Sequence, residues 1–150
     1  MPTGDQLREL LPNSPEGRLL ALVQGTEVSV TVRLRAIRAL GQLDASPQVT
    51  SALIALLDQY RDHQAGTGVF YLIATIEALG QVGSLNELPK LLTALPHRSR
   101  DVRVTVVRAL RALRLPQAAP ALEEHSTREA SDAVKQEITE TLQSLKQLPQ

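Results

Sequence analysis

The chain contains 150 residues, a length typical of a single domain, and its 16 basic residues are balanced by 16 acidic ones, giving a formal net charge of zero. This balance excludes a uniformly basic nucleic-acid-binding protein. The absence of cysteine excludes disulfide bonds, thiolate zinc sites, iron–sulfur clusters and cysteine nucleophiles. With one Phe, two Tyr and no Trp, the core must be built from aliphatic side chains, which suits closely packed helices.

Two short helical segments are predicted at the start of the chain. Residues 5–11 are expected to form a helical turn or two, and residues 15–24 a short helix capped by Ser14. In the second segment Leu19, Leu20 and Val23 fall on one side of a helix, so they are expected to be buried. Residues 1–28 are therefore predicted to form an N-terminal capping unit.

The rest of the chain contains an internal repeat. The segment AIRALGQL at 36–43 recurs as TIEALGQV at 75–82, VVRALRAL at 106–113 and ITETLQSL at 138–145. The four segments align without gaps at spacings of 39, 31 and 32 residues. Four leucines fall in register: Leu40, Leu79, Leu110 and Leu142. A period in this range is typical of stacked helical hairpins, each of which buries its apolar face against its neighbours.

Each repeat is predicted to contain two helices. On the first helix of the third repeat, Val102, Val106 and Leu110 recur at helical spacing. The second helices carry similar apolar stripes, over residues 49–60 in the first repeat and 85–95 in the next. The repeats are predicted at 29–63, 68–97 and 100–126, followed by a more polar C-terminal capping helix at 131–147.

Prolines, serines and glycines mark the ends of these helices. A proline stands near the start of each second helix, where its missing N–H has no intrahelical partner to lose: Pro47, Pro89 and Pro120. Ser46 and Ser84 are predicted N-caps. Three glycines lie at or just after the ends of first helices, where a left-handed residue is easily accommodated: Gly41, Gly80 and Gly83.

Residues 1–150 are thus expected to form one all-α domain without β-strands. The longest apolar run, residues 52–57, is far shorter than the roughly 20 residues of a membrane-spanning helix. The first residues lack the basic and then apolar regions of a secretion signal. We therefore expect a cytoplasmic protein that does not bind membranes.

Two motifs carry a family resemblance. The pattern Val32-Arg33-x-x-Ala36-x-x-Ala39-Leu40-Gly41-x-Leu43, and Asp101-x-Arg103 followed by Val107-x-Ala109-Leu110, resemble bacterial HEAT repeats of the phycobilisome-lyase-like subclass. The resemblance covers roughly residues 29–146. It implies an all-α, right-handed α-solenoid of about four helical hairpins.

In the HEAT-repeat pattern that this chain resembles, the first helix of each repeat has a valine followed directly by an arginine. This chain has Arg33 and Arg103 there, and Lys135 conservatively in the last unit. In the second repeat the pattern is broken, because Tyr71 and Leu72 occupy these two positions. A ladder of such arginines is therefore not expected to pass through the second repeat.

The densest charge feature lies in the third repeat, where residues 98–114 contain six arginines and one aspartate. Five of them occupy one side of the predicted helix and form what we term the basic stripe: Arg100, Arg103, Arg108, Arg111 and Arg114. A phosphate backbone or an acidic protein could lie along it. Alternatively, the arginines pair with the acidic C-terminal segment, which includes Glu129, Glu137 and Glu140.

All three aromatic residues flank the long connection at 61–68. This aromatic cluster consists of Tyr60, Phe70 and Tyr71. It could be an exposed anchor for a partner, or it could fold inwards and seal the loop against the stack. His63, His97 and His125 lie near the ends of successive second helices, where a histidine interacts favourably with the helix dipole, so no metal site is expected.

The second helices also present a row of varied side chains opposite their apolar stripes. This second-helix row consists of Gln48, Gln59, Asn86, Lys90, Thr93, His97, Gln117 and Glu124. The family resemblance implies that the row lies on the concave side of the solenoid. Varied side chains on a regular frame suit recognition of a protein partner, so we expect a non-catalytic interaction or scaffold module.

Two alternative functions stay open. The phycobilin lyases and related chaperone-like proteins share the resembled repeat subclass, which implies a possible role in handling a bilin or its acceptor protein. The second alternative is binding of a nucleic-acid backbone through residues 98–114. No nucleophile and base motif, phosphate-binding glycine loop or paired-carboxylate motif occurs in the sequence, so we expect no catalytic residues and no cofactor.

Overall fold

A computed structural model describes residues 14–149. The helical turn expected at 5–11 lies outside the described residues. Over residues 14–149 the chain forms α-helices and two short 3-10 helices and no strand, which confirms the all-α prediction. The α-helices are α1 (Pro15–Gln24), α2 (Val30–Leu40), α3 (Pro47–Tyr60), α4 (Thr67–Val82), α5 (Leu88–Leu92), α6 (Arg100–Leu113), α7 (Ala119–Ser126) and α8 (Asp132–Lys146). The 3-10 helices are Leu85–Glu87 and Pro116–Ala118.

Serine caps explain where most of these helices begin. Five serine hydroxyl groups accept a hydrogen bond from the backbone N–H three residues further on, at 3.0 to 3.4 Å. The five are Ser14, Ser29, Ser46, Ser99 and Ser131. Each satisfies one of the N–H groups that the first helical turn leaves without a partner. The predicted caps at Ser14 and Ser46 are confirmed.

The second helix of the second repeat differs from the continuous helix predicted over residues 85–95. Ser84 and Glu87 form a capping box that opens the 3-10 turn Leu85–Glu87, and the α-helical part ends at Leu92. Leu88 donates to the carbonyl of Leu85, and Pro89 has no N–H with which to continue an α-helical ladder from that carbonyl. As a result Leu85 is 48% exposed, whereas the prediction placed it in the apolar stripe.

The helices stack in two layers. In the first layer α2, α4, α6 and α8 pack one on the next, in chain order. In the second layer, α1, α3, α5 and α7 each pack against the first-layer helix that follows in the chain. Packing between consecutive elements of this kind defines a helical solenoid. No helix within residues 14–149 is long and apolar enough to cross a membrane.

The register leucines lie at the centre of this stack. Leu40, Leu79 and Leu110 are completely buried, as the repeat predicts. Leu142 is only partly buried, because α8 is the last helix of the first layer and no further helix among the described residues covers it. The repeat alignment therefore identifies the core, and its last member marks the edge of the stack.

Small residues bring the first-layer helices close together. A Cβ atom added to Gly41 would lie 2.9 Å from the Cα of Ala78, and one added to Gly80 would lie 3.0 Å from the Cα of Ala109. None of the three glycines at the ends of the first helices uses the left-handed conformation, because φ is −69° at Gly41 and −74° at Gly83, and Gly80 lies inside α4. The reason for glycine is space for the next helix.

Candidate functional site

The second-helix row is dispersed over α3, α5, α7, the two 3-10 helices and the turns that follow α5. Six of its eight members are exposed: Gln59, Asn86, Lys90, Thr93, Gln117 and Glu124. Gln48, near the start of α3, is partly buried. His97 is only 6% exposed, so its predicted place on the exposed row is corrected. The cause is the early end of α5 at Leu92, after which turns carry the chain inwards.

His97 joins two loops. Its Nδ1 accepts a hydrogen bond from the backbone N–H of Ser99 at 2.9 Å, and its Nε2 lies 2.7 Å from the carbonyl oxygen of His63. A ring that accepts at Nδ1 and donates at Nε2 is the neutral imidazole protonated at Nε2. His97 therefore fixes the loop before α6 to the loop before α4.

A network of charged and polar groups joins α3 to α5 on the exposed surface. Asp58 accepts hydrogen bonds from Lys90 Nζ at 3.1 Å on both carboxylate oxygens and lies 2.9 Å from Arg61 Nη1. Arg61 also donates to Thr93 Oγ1 at 2.9 Å. Partial burial alone would raise the pKa of Asp58, but Lys90 and Arg61 outweigh it and lower that pKa below its usual value.

Asp58 and Arg61 were not among the residues predicted from the sequence. One spacing could have pointed to them: Asp58 and Arg61 are three residues apart, so they share a face of one helix. The 32 residues between Asp58 and Lys90 do not match the 39-residue spacing of the first two repeats, so the repeat alignment does not predict their contact.

The basic stripe is largely neutralised by acidic residues of the C-terminal segment. Three arginines form ion pairs: Arg103 with Glu129 at 2.8 Å, Arg108 with Glu137 at 2.8 Å and Arg111 with Glu140 at 3.6 Å. Arg100 and Arg114 are exposed and have no side-chain partner within residues 14–149. Three of the five arginines of the basic stripe therefore pair with the acidic C-terminal segment, the second of the two alternatives.

Glu129 is the centre of a buried cluster. Arg103 donates to it through Nε at 2.8 Å and Nη2 at 3.1 Å, and the N–H of Ser131 donates at 3.0 Å. His125 Nε2 lies 3.0 Å from the same carboxylate. Burial alone would raise the pKa of Glu129, but these donors hold the carboxylate ionised and lower its pKa to about 2. The remaining Nη1 of Arg103 donates to the carbonyl groups of His97 and Arg98.

The aromatic cluster is divided between the core and the surface. Tyr60 and Tyr71 are buried, with ring centroids 5.1 Å apart, whereas Phe70 is 60% exposed. The guanidinium of Arg33 lies 5.4 Å from the centroid of Tyr71 and donates to the hydroxyl of Tyr60 at 3.2 Å. Tyr71 stands where the repeat pattern has a valine. Its ring makes a cation–π contact with Arg33 of the previous repeat. An exposed cluster of all three rings is therefore ruled out.

The histidines do not converge. His63 is exposed, while His97 and His125 make the hydrogen bonds described above. In the part of the chain that the structure describes, no three His, Cys, Asp or Glu residues are grouped so that they could hold a metal ion.

Two layers of consecutively packed helices, with leucines repeating at the centre, define an α-helical repeat protein. The family model described as "HEAT repeats" matches residues 71–143, and the model described as "PBS lyase HEAT-like repeat" matches residues 32–59. The chain belongs to the HEAT-repeat proteins. HEAT repeats generally mediate protein–protein interactions and are generally non-catalytic. No curated protein and no solved structure matches the chain.

Proposed function

We propose that the chain is a non-catalytic interaction module that binds a protein partner through its second layer. The binding surface, which we term the second-layer surface, comprises the exposed members of the second-helix row: Gln59, Asn86, Lys90, Thr93, Gln117 and Glu124. His97 is left out because it is buried. In this proposal the second-layer surface lines the concave side of the solenoid.

The observation that carries the proposal is the fixed geometry of two exposed side chains. Lys90 and Thr93 face solvent, yet Asp58 and Arg61 hold them through three hydrogen bonds of 2.9 to 3.1 Å, and Asp58 and Arg61 themselves form an ion pair at 2.9 Å. Side chains that are already ordered lose less conformational entropy on binding. A preorganised polar surface of this kind favours a specific partner with complementary polar groups over nonspecific apolar association.

The test compares two triple variants. The first replaces Asn86, Lys90 and Thr93 by alanine and removes side chains only from the second-layer surface. The matched control replaces Arg38, Glu77 and Gln143, which are exposed on first-layer helices, by alanine. Each protein is immobilised and used to capture partners from lysate, and captured proteins are quantified by mass spectrometry and then titrated individually by calorimetry.

We expect the second-layer variant to lose at least about tenfold in affinity for a captured protein, since several polar contacts are removed together. The first-layer control should bind as the original chain does. The opposite result, or equal binding by all three proteins, would contradict the proposal. Circular dichroism melts show whether each variant retains its fold.

Two alternatives are separated by the same samples. The nucleic-acid alternative has less support than the sequence suggested, because Arg103, Arg108 and Arg111 already pair with glutamates. It predicts salt-sensitive retention of duplex DNA. The bilin alternative is supported by the PBS lyase HEAT-like match over residues 32–59 and predicts visible absorbance after incubation with a bilin. A cytoplasmic location stays a prediction.

A further inference from the structure

A pocket of about 350 Å³ lies at the junction of the third repeat and the C-terminal helix. It opens between the loop that precedes α6 and the loop that precedes α8. Its walls carry three arginines, Arg98, Arg103 and Arg128, and two histidines, His97 and His125. Glu129 is the one acidic residue among its lining residues. The volume falls at the lower end of the range of about 300–1,000 Å³ for small-molecule sites.

The charges in this pocket do not cancel. Arg103 and Glu129 neutralise each other through two hydrogen bonds, and the carboxylate of Glu129 is saturated by further donors. Arg98 makes no side-chain hydrogen bond or ion pair within residues 14–149. Arg128 has only a loose pair with Glu124 at 3.7 Å, in which both side chains are about two-thirds exposed or more. Two positive charges therefore face the pocket without a close counterion.

The floor of the pocket is rigid while its rim is free to reach a ligand. Arg103 and Glu129 are 16% and 2% exposed, and they are fixed by backbone groups of both loops. Arg98 and Arg128 stand at the rim on separate loops, so their guanidinium groups can approach one anion from two directions. Such an arrangement suits an anion with several oxygens pointing in different directions.

We infer that this pocket binds a phosphoryl group, either as free phosphate or as a phosphate monoester, between the guanidinium groups of Arg98 and Arg128. A phosphate dianion balances the two uncompensated charges, whereas a carboxylate would balance one. The inference concerns a site separate from the second-layer surface and stands whether or not a protein partner binds there.

The experiment titrates the chain with inorganic phosphate and with acetate at constant ionic strength, followed by amide chemical shifts in NMR spectra. The test variant carries Arg98→Gln and Arg128→Gln. The matched control carries Arg100→Gln and Arg114→Gln, which remove two exposed arginines from the same region but outside the pocket. Both variants lose the same formal charge, so a difference between them reports the position of the charges and not their number.

We expect saturable shifts at residues 97–99 and 128–131 on adding phosphate and smaller shifts on adding acetate. The test variant should weaken phosphate binding by at least about tenfold, because hydrogen bonds to a charged ligand are lost, while the control should stay within about twofold. Equal weakening in both variants would show diffuse attraction and overturn the inference. A lack of saturation would also overturn it, and acetate binding as tightly as phosphate would overturn the assignment of the ligand class.

A titration with phenyl phosphate distinguishes free phosphate from a phosphate monoester as the ligand. Binding of both inorganic phosphate and phenyl phosphate identifies a site open to monoesters. Binding of inorganic phosphate alone identifies a site for the free ion. Thermal melts of the original chain and both variants, in chloride and in phosphate, provide a second measurement, because a ligand that binds the folded state raises the melting temperature.

Discussion

Arg103 and Glu129 form a two-pronged ion pair that joins the start of α6 to the loop before α8. The distances are 2.8 Å from Nε to one carboxylate oxygen and 3.1 Å from Nη2 to the other. Only 2% of the Glu129 side chain is exposed, and the carboxylate also accepts from the N–H of Ser131. Because both charges are poorly hydrated, each depends on the other, and removing one leaves its partner without compensation.

Glu129→Gln should therefore lower the free energy of unfolding by about 3 kcal/mol. Glutamine keeps the size of the side chain but leaves the guanidinium of Arg103 without a counterion. Urea unfolding followed by circular dichroism gives the value. The comparison is Glu137→Gln, whose partner Arg108 is 66% exposed and whose loss should cost under about 1 kcal/mol. Equal losses in the two variants would contradict the role assigned to Glu129.

The same carboxylate should make stability depend on acid pH. The pKa of Glu129 is about 2 in the folded chain, below its ordinary value of 4.5, so the folded state binds the proton less readily than the unfolded state. Its contribution is complete above about pH 4.5 and is lost as the pH falls towards 2. The difference corresponds to roughly 3 kcal/mol.

Urea unfolding of the original chain and Glu129→Gln at a series of pH values isolates this contribution. The stability gap between them should be constant from pH 7 to about pH 5 and should close as the pH approaches 2. Other carboxylates, including Asp58, are present in both proteins and cancel in the difference. A gap that stays constant down to pH 2 would contradict the depressed pKa.

Gly80→Ala tests the close approach of α4 and α6. Alanine is preferred to glycine inside a helix by about 1 kcal/mol, but here its Cβ would lie 3.0 Å from both Cα and Cβ of Ala109. We expect the crowding to dominate and the variant to be destabilised by about 1–2 kcal/mol. In a chain that already carries Ala109→Gly, the same change should cost less, because the contact with the Cβ of residue 109 is removed and only the contact with its Cα remains. Additive effects in thermal or urea unfolding would argue against the contact.

Thr141→Val should stabilise the chain. Thr141 is completely buried on α8, and its hydroxyl has no hydrogen-bond partner. Valine keeps the shape and removes the unsatisfied hydroxyl, so we expect a gain of about 1 kcal/mol, or about 2–4 °C in melting temperature. The control is Thr75→Val, because the equally buried hydroxyl of Thr75 donates to the carbonyl of Tyr71 at 2.7 Å. A gain in the control as large as that in Thr141→Val would contradict this explanation.

The helices and their packing register were accessible from the sequence because their signals are local. Serine caps act over three residues, and the leucine repeat reports burial directly, as at Leu40 and Leu79. The misplacement of His97 has an equally local cause. A helix extrapolated from Leu85 to Leu95 carries His97 outwards, but the real α-helix ends at Leu92 and the following turns carry it inwards.

The contacts between repeats were harder to predict. Asp58 and Lys90 are 32 residues apart, and Arg103 and Glu129 are 26 apart. Their pairing depends on how adjacent hairpins are offset, which the spacing of apolar residues does not specify. The acidic C-terminal segment could be matched to the basic stripe as a whole. The hydrogen bonds that Glu129 accepts from Arg103 and the N–H of Ser131 depend on the conformation of the loop before α8, which the apolar pattern does not specify.

The junction between α6 and α8 is held differently from those before it. At the positions where Gly41 meets Ala78 and Gly80 meets Ala109, the repeat alignment places Arg111 and Thr141. In place of a glycine that lets two backbones approach, three ion pairs join the last two first-layer helices. Two of them connect α6 with α8, and the third connects α6 with the loop before α8. Acid should consequently loosen the last helix more than the middle of the stack, and at low pH its amide protons should exchange with solvent before those of α4 do.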